Sequence, residues 1–113
     1  MVVLHELLKN IKVIKATAPL NTYISSLAYD SRKTEEGCAF VAIRGFKTDG
    51  HLFIAEAVKR GAKVIVVEDI NLVPEGVSYV QVENTRFVLG ILAANFYGWP
   101  SRKMRLLGVT GTN

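Results

Sequence analysis

Leu52-Phe53-Ile54-Ala55-Glu56-Ala57-Val58-Lys59-Arg60-Gly61-Ala62-Lys63-Val64-Ile65-Val66-Val67 changes its hydrophobic period halfway along. From Leu52 to Arg60 the apolar Phe53, Ile54, Ala57 and Val58 share one helical face. Gly61 stands where a left-handed C-terminal cap belongs, because glycine reaches positive φ without a Cβ clash. Val64 to Val67 is apolar at every residue, the mark of an interior strand covered on both faces. The stretch therefore reads as helix, turn and buried strand.

Working outward, Ala39 to Ile43 supplies the strand before the helix and completes a β-α-β unit. Ile24 to Tyr29 reads as one more short strand, separated from it by the polar Asp30 to Gly37 turn region. Downstream the pattern repeats. Val80 to Val82 is a brief strand, and Thr85 caps a helix carrying Phe87, Val88, Ile91, Leu92 and Phe96, which Gly98 and Pro100 end. Leu106-Leu107-Gly108-Val109 starts a further strand. At the other end, Leu4, Leu7, Leu8 and Ile11 recur at helical spacing, and Pro19 and Asn21 mark a loop. Alternating strands and helices imply an α/β fold, three layers α/β/α, around a mostly parallel or mixed sheet of about five strands.

The bulk numbers agree with one domain: 113 residues, half of them hydrophobic, bury enough surface for a core without disulfides or a structural metal. Fourteen Lys and Arg against ten Asp and Glu leave a net charge of +4, which suits an anionic ligand without identifying it. The single Cys38 reads as a small buried hydrophobe in a reducing compartment, and no Cys/His cluster has zinc spacing. Neither a signal peptide nor an apolar run long enough for a bilayer is evident, so the expected location is the cytoplasm, with no membrane partner.

The last residues, Gly108-Val109-Thr110-Gly111-Thr112-Asn113, are a hydrophobic strand running into a Gly-Thr turn. A phosphate-binding loop of the G-x-x-x-x-G-K-[ST] type begins this way, its backbone N–H groups cradling phosphate. Either Gly108 or Gly111 fits the first glycine, and the rest of the pattern would fall beyond Asn113. Taken alone, a strand end with a glycine turn explains the same residues.

Other turn residues stand in order at strand ends: Asp30-Ser31-Arg32, Gly37, Phe40-Val41-Ala42-Ile43-Arg44-Gly45, Asp49-Gly50-His51 and Gly61-Ala62. This series resembles the N-terminal domain of the Mur ligases. With Phe96-Tyr97-Gly98-Trp99-Pro100-Ser101 and the terminal Thr110-Gly111-Thr112-Asn113 it is most similar to the MurE type, the UDP-N-acetylmuramoyl-tripeptide synthetases. The resemblance implies a UDP-substrate-binding domain over residues 1–105, followed at 106–113 by the first strand and the start of a central ATP-binding domain. The whole enzyme would join a third amino acid, diaminopimelate or lysine, to UDP-N-acetylmuramoyl-L-alanyl-D-glutamate at the expense of ATP. The chain is expected to end inside the ATP loop, of which Gly111, Thr112 and Asn113 are present, without the ATP lysine, the magnesium ligands or the carbamylated lysine. ATP and Mg2+ thus belong to the full-length enzyme, and these residues are not expected to bind them or catalyse ligation alone.

Carried over from the family, the uridine-nucleotide contacts fall on Tyr29, Ser31, Phe46, Lys47 and Thr48, with no catalytic or metal-binding residue. Ser31 and Thr48 each offer a hydroxyl and an N–H, and Lys47 offers positive charge to a diphosphate. The implied partners are the UDP-muramoyl-dipeptide and the chain's own central and C-terminal domains, the chain being a monomer.

Plainer readings stand beside these. Asp30 either braces its turn or meets ligand, and Arg32 pairs with Asp30 or with Glu35. His51 reads as a cap or packed polar residue rather than a base, since no nucleophile or carboxylate partner is evident nearby. His5 is expected at the surface and Trp99 against the sheet. Arg102, Lys103 and Arg105 read as a solvated connection rather than a nucleic-acid surface, having no interleaved aromatic residues. The rival functions are the N-terminal domain of a MurF-type ligase and a free-standing α/β nucleotide-binding module.

Overall fold

The computed structural model describes residues 1–45 and 48–98. In chain order the elements are β1 (Val2–Val3), α1 (Leu4–Leu7), β2 (Lys15–Ala16), β3 (Tyr23–Ile24), β4 (Leu27–Ala28), β5 (Ala39–Val41), α2 (Ile54–Lys59), β6 (Val64–Val67), β7 (Tyr79–Gln81) and α3 (Thr85–Tyr97). Five strands make one sheet in the order β2-β7-β6-β5-β4. β4, β5, β6 and β7 run parallel, each beside the next in sequence, and β2 lies antiparallel on β7.

The pleat sorts the core into two layers. Ala39, Val41, Val64, Val66, Val80 and Val82 pack with Leu4, Leu7, Val88 and Leu92 under α1 and α3. Phe40, Ala42, Ile65 and Val67 point the other way and pack with Ile54 and Ala57 of α2. This is the three-layer α/β/α arrangement, and it explains why β6 is apolar at all four residues: each is at most 1% exposed. Burying one such side chain contributes roughly 1.5–3 kcal/mol. Asn95 joins the two helices of one layer, its Nδ2 donating to the carbonyls of Leu7 (2.8 Å) and Lys9 (2.7 Å) just where α1 ends.

Three sequence expectations change. Ile24 to Tyr29 is not one strand: Tyr23–Ile24 pairs antiparallel with β1 in a separate ribbon, and Leu27–Ala28 alone enters the main sheet. Ser25 makes the turn, its N–H bonded to the Gly37 carbonyl (3.0 Å) and its hydroxyl to the Glu36 carbonyl (2.9 Å). Thr85 is not the cap of α3. Asn84, in extended conformation, is the cap, and its Oδ1 accepts from the Phe87 N–H at 3.0 Å. The count of five strands is met by the unforeseen β2, whereas the expected strand Leu106 to Val109 lies outside the described residues. Gly61 does take positive φ (110°) after α2, and Gly98 (93°) after α3.

Candidate functional site

One local device recurs along the carboxyl edge of the sheet. Asp30, Asp49 and Asp69 each hold extended backbone, and each accepts from the N–H two residues on, starting a single 3-10 turn. Two of these turns, at Asp30 after β4 and at Asp49 in the connection after β5, face each other across a cleft of about 480 Å³. The crevice outside the carboxyl ends of parallel strands is where open α/β sheets place their ligands.

Tyr29 to Arg32 line the cleft as one wall and Thr48, Gly50 and Phe53 as another, with Phe40, Ile43 and Glu56 completing the lining. Ser31 is 7% exposed, and its hydroxyl has no hydrogen-bond partner among the described residues. A nearly buried hydroxyl at a cleft surface with no protein partner is open to a hydrogen bond from outside the chain. Tyr29 and Phe53 are exposed and both line the cleft, aromatic side chains of a kind that can stack a planar base. Gly50 is required by close approach: a Cβ there would lie 2.6 Å from the Ile43 nitrogen.

The carboxylates of the cleft are already matched. Asp30 accepts from Arg32 Nε (3.2 Å) and Nη2 (3.0 Å) as well as from its N–H, and these bonds hold its carboxyl below the usual value while raising the guanidinium. Arg32 thus pairs with Asp30, and Asp30 braces its turn while lining the cleft. Glu56 accepts from Arg60 Nε at 3.1 Å. Cys38 is buried, and burial pushes its thiol up, as an inert core residue requires. His5 is on the surface beside Glu6.

Behind the second wall lies a polar network built round the buried His51. His51 Nδ1 is 2.7 Å from Asp49 Oδ1, and its Nε2 accepts from the Glu68 N–H at 3.0 Å. Arg44 Nε meets Asp49 Oδ2 at 3.3 Å, and Glu68 Oε2 accepts from the N–H and hydroxyl of Thr85 at the start of α3. Burial pushes the Asp49 carboxyl up, but two bonds from His51 and the Arg44 charge outweigh it and leave it below its ordinary value. His51 is packed, as expected from sequence; the carboxylate partner that sequence did not reveal is Asp49, brought round by its own turn.

Of the expected contact residues, Tyr29, Ser31 and Thr48 are brought together in this cleft. Phe46 and Lys47 lie outside the described residues, as do Gly111, Thr112 and Asn113 of the expected ATP loop, and Trp99, Arg102, Lys103 and Arg105. Phe53 is the residue that sequence reasoning misplaced. It counted toward the buried helical face, yet the helix begins only at Ile54, and the preceding 3-10 turn rotates Phe53 into the cleft. Its position two residues after His51, within the turn that Asp49 caps, was the available signal. Among the described residues no group of three or more His, Cys, Asp and Glu can hold a metal ion, and no helix is long and apolar enough to cross a membrane.

Residues 23–97, from β3 to the end of α3, match the family model described as "Mur ligase family, catalytic domain". The chain belongs to the Mur ligase family. It is 41% identical to the UDP-N-acetylmuramoyl-L-alanyl-D-glutamate--2,6-diaminopimelate ligase of Clostridium perfringens, over 98% of this chain and 23% of that protein. It is 47% identical to the UDP-N-acetylmuramyl-tripeptide synthetase of a Roseiflexus species, over 97% of this chain and 22% of that protein. Among solved structures, a MurF from Acinetobacter baumannii superposes with a TM-score of 0.66 at 32% identity, over 82% of this chain and 20% of that one. The chain therefore spans less than a quarter of the length of the Mur ligases it matches.

Proposed function

We propose that this Mur ligase chain binds the uridine-nucleotide end of UDP-N-acetylmuramoyl-L-alanyl-D-glutamate, for an ATP-dependent ligase of the MurE type that adds the third amino acid. The observation that carries the reading is the cleft, which unites Tyr29, Ser31 and Thr48 at the carboxyl ends of β4 and β5. Its chemistry suits a nucleotide. Aromatic faces at Tyr29 and Phe53 fit a uracil ring, and the free Ser31 hydroxyl fits a carbonyl or phosphate oxygen. Arg32 and Arg60 are engaged with carboxylates, and the family resemblance gives the charge of the diphosphate to Lys47.

In the longer protein, ATP with Mg2+ would activate the substrate carboxylate for amide formation, beginning at the loop that Gly111, Thr112 and Asn113 open. One solved relative, the MurF of Thermotoga maritima, is a complex with ADP; it is 34% identical over 60% of this chain and 16% of that one, with a TM-score of 0.54. The described residues have the separate task of holding the substrate's far end, so that binding energy made here is available for orientation at the reacting carboxylate. A MurF-type assignment is favoured by the solved structures, but the curated relatives match more of the chain at higher identity and bear the diaminopimelate and tripeptide names. The setting is the cytoplasm and the working form a monomer.

Calorimetric titration tests the reading. The chain is expected to bind UDP-N-acetylmuramoyl-L-alanyl-D-glutamate weakly, since only part of that ligand is covered, and UDP-glucose more weakly still. Equal affinity for the two removes the muramoyl-specific part, and binding of neither removes the assignment of the cleft.

A further inference from the structure

The side chain of His51 is wholly buried, and it is not among the residues that line the cleft. Its two ring nitrogens are nevertheless both committed. Nε2 receives the Glu68 N–H at 3.0 Å and so must carry a lone pair. A neutral ring then has its proton on Nδ1, which points at the acceptor Asp49 Oδ1 2.7 Å away. One tautomer satisfies both neighbours; the other sets two donors against each other at Nε2 and leaves two acceptors facing each other at Nδ1.

What this bond chain holds is the cleft wall. Asp49 and Arg44 form a bridge that closes the loop bearing Thr48, reinforced by the Gly45 N–H to the Thr48 carbonyl and the Gly50 N–H to the Ile43 carbonyl, each 2.8 Å. Glu68, at the far end, follows the rigid interior strand β6 and is itself tied to α3 through Thr85. The loop after β5 is thus tied to the core through the His51 imidazole, alongside Arg44 Nη1, 3.8 Å from Glu68 Oε1, and Arg86 Nη2, which donates to the Arg44 carbonyl at 3.2 Å. Resting on the reading of the cleft as the nucleotide site, we propose that His51 is a positioning residue: a neutral Nδ1–H imidazole that fixes the Thr48–Gly50 wall for ligand by joining Asp49 to the end of β6.

Two replacements separate positioning from packing. His51→Asn keeps a donor in the place of Nδ1, whereas His51→Leu fills comparable space with no polar group. Both are expected to melt below the wild type. Affinity for UDP-N-acetylmuramoyl-L-alanyl-D-glutamate, measured by calorimetry well below both melting points, is expected to fall about tenfold in His51→Leu and no more than about threefold in His51→Asn. Wild-type affinity in a folded His51→Leu chain, or equal losses in the two variants, overturns the role. Imidazole 15N resonances of the wild type give a second test that needs no variant. A protonated Nδ1 with a bare Nε2 at neutral pH supports the role, and the opposite tautomer or a charged ring overturns it. Failure of the wild type to bind the ligand overturns the reading of the cleft, an outcome distinct from wild-type binding that His51 does not affect.

Discussion

Asp30 and Arg32 meet side-on at the lip of the cleft, two parallel hydrogen bonds of 3.2 and 3.0 Å joining carboxylate to guanidinium, while the same carboxylate caps the turn that carries Ser31. The two partners are therefore unequal. Asp30→Ala removes the turn's cap as well as the pair, and Arg32→Ala removes only an exposed charge contact. Thermal melts are expected to show the larger drop for Asp30→Ala, and the reverse order would mean that the pair, not the turn, is what Asp30 contributes.

Ser31→Ala deletes the unpartnered hydroxyl without opening a cavity. Affinity for the UDP-linked ligand is expected to weaken by about 1 kcal/mol, the worth of one hydrogen bond, with an unchanged melting temperature. Titration calorimetry beside a melt separates the two quantities, and an unaltered affinity would return Ser31 to the turn alone.

Gly50→Ala pushes a methyl group to 2.6 Å from the Ile43 nitrogen, a contact that only backbone movement relieves. Denaturant unfolding is expected to register a loss of about 1–3 kcal/mol, the ordinary cost of overpacking. A stability equal to wild type would show that the wall of the cleft shifts freely.

Asn84→Ala takes away the acceptor that holds the Phe87 N–H at the start of α3, and is expected to cost about 1 kcal/mol, with Asn84→Asp nearly neutral. Should Asn84→Ala prove harmless, Glu68, which binds the Thr85 N–H and hydroxyl, would be sufficient to start the helix.

Acid should loosen the two cleft turns. Asp30 and Asp49 are both held below the ordinary carboxylate value in the folded chain, so their stabilisation is full from about one pH unit above the unfolded value and is lost as pH falls through the folded ones. The melting temperature is expected to decline below about pH 5, and Asp49→Asn to flatten that decline while lowering the neutral-pH plateau. An acid limb unchanged in Asp49→Asn would assign it to other carboxylates.

Much of this arrangement can be read from residue patterns, for identifiable reasons. Val64 to Val67 announces itself because both faces are buried, so burial leaves a mark on every residue. Lys15–Ala16 leaves none, since both side chains are exposed and the strand exists through backbone bonds to β7. The break within Ile24 to Tyr29 is equally silent, because Ser25 turns the chain through bonds to Gly37 and Glu36, residues distant in sequence. Tyr29, Ser31 and Thr48 line one cleft, whereas Phe53 was counted with the helical face because a 3-10 turn and a helix share apolar periodicity until one sees which residue begins the helix.

The sheet's margins carry a further meaning for how the chain behaves in concentrated solution. β2 and β4, at its two borders, are each two residues long, and β2 bears the outward Lys15. A border so short offers an incoming strand too few free amides and carbonyls to repay the entropy of joining, and a lysine there adds repulsion between copies. β6, apolar at all four of its residues, is thereby kept two strands away from β4 on one side and from β2 on the other.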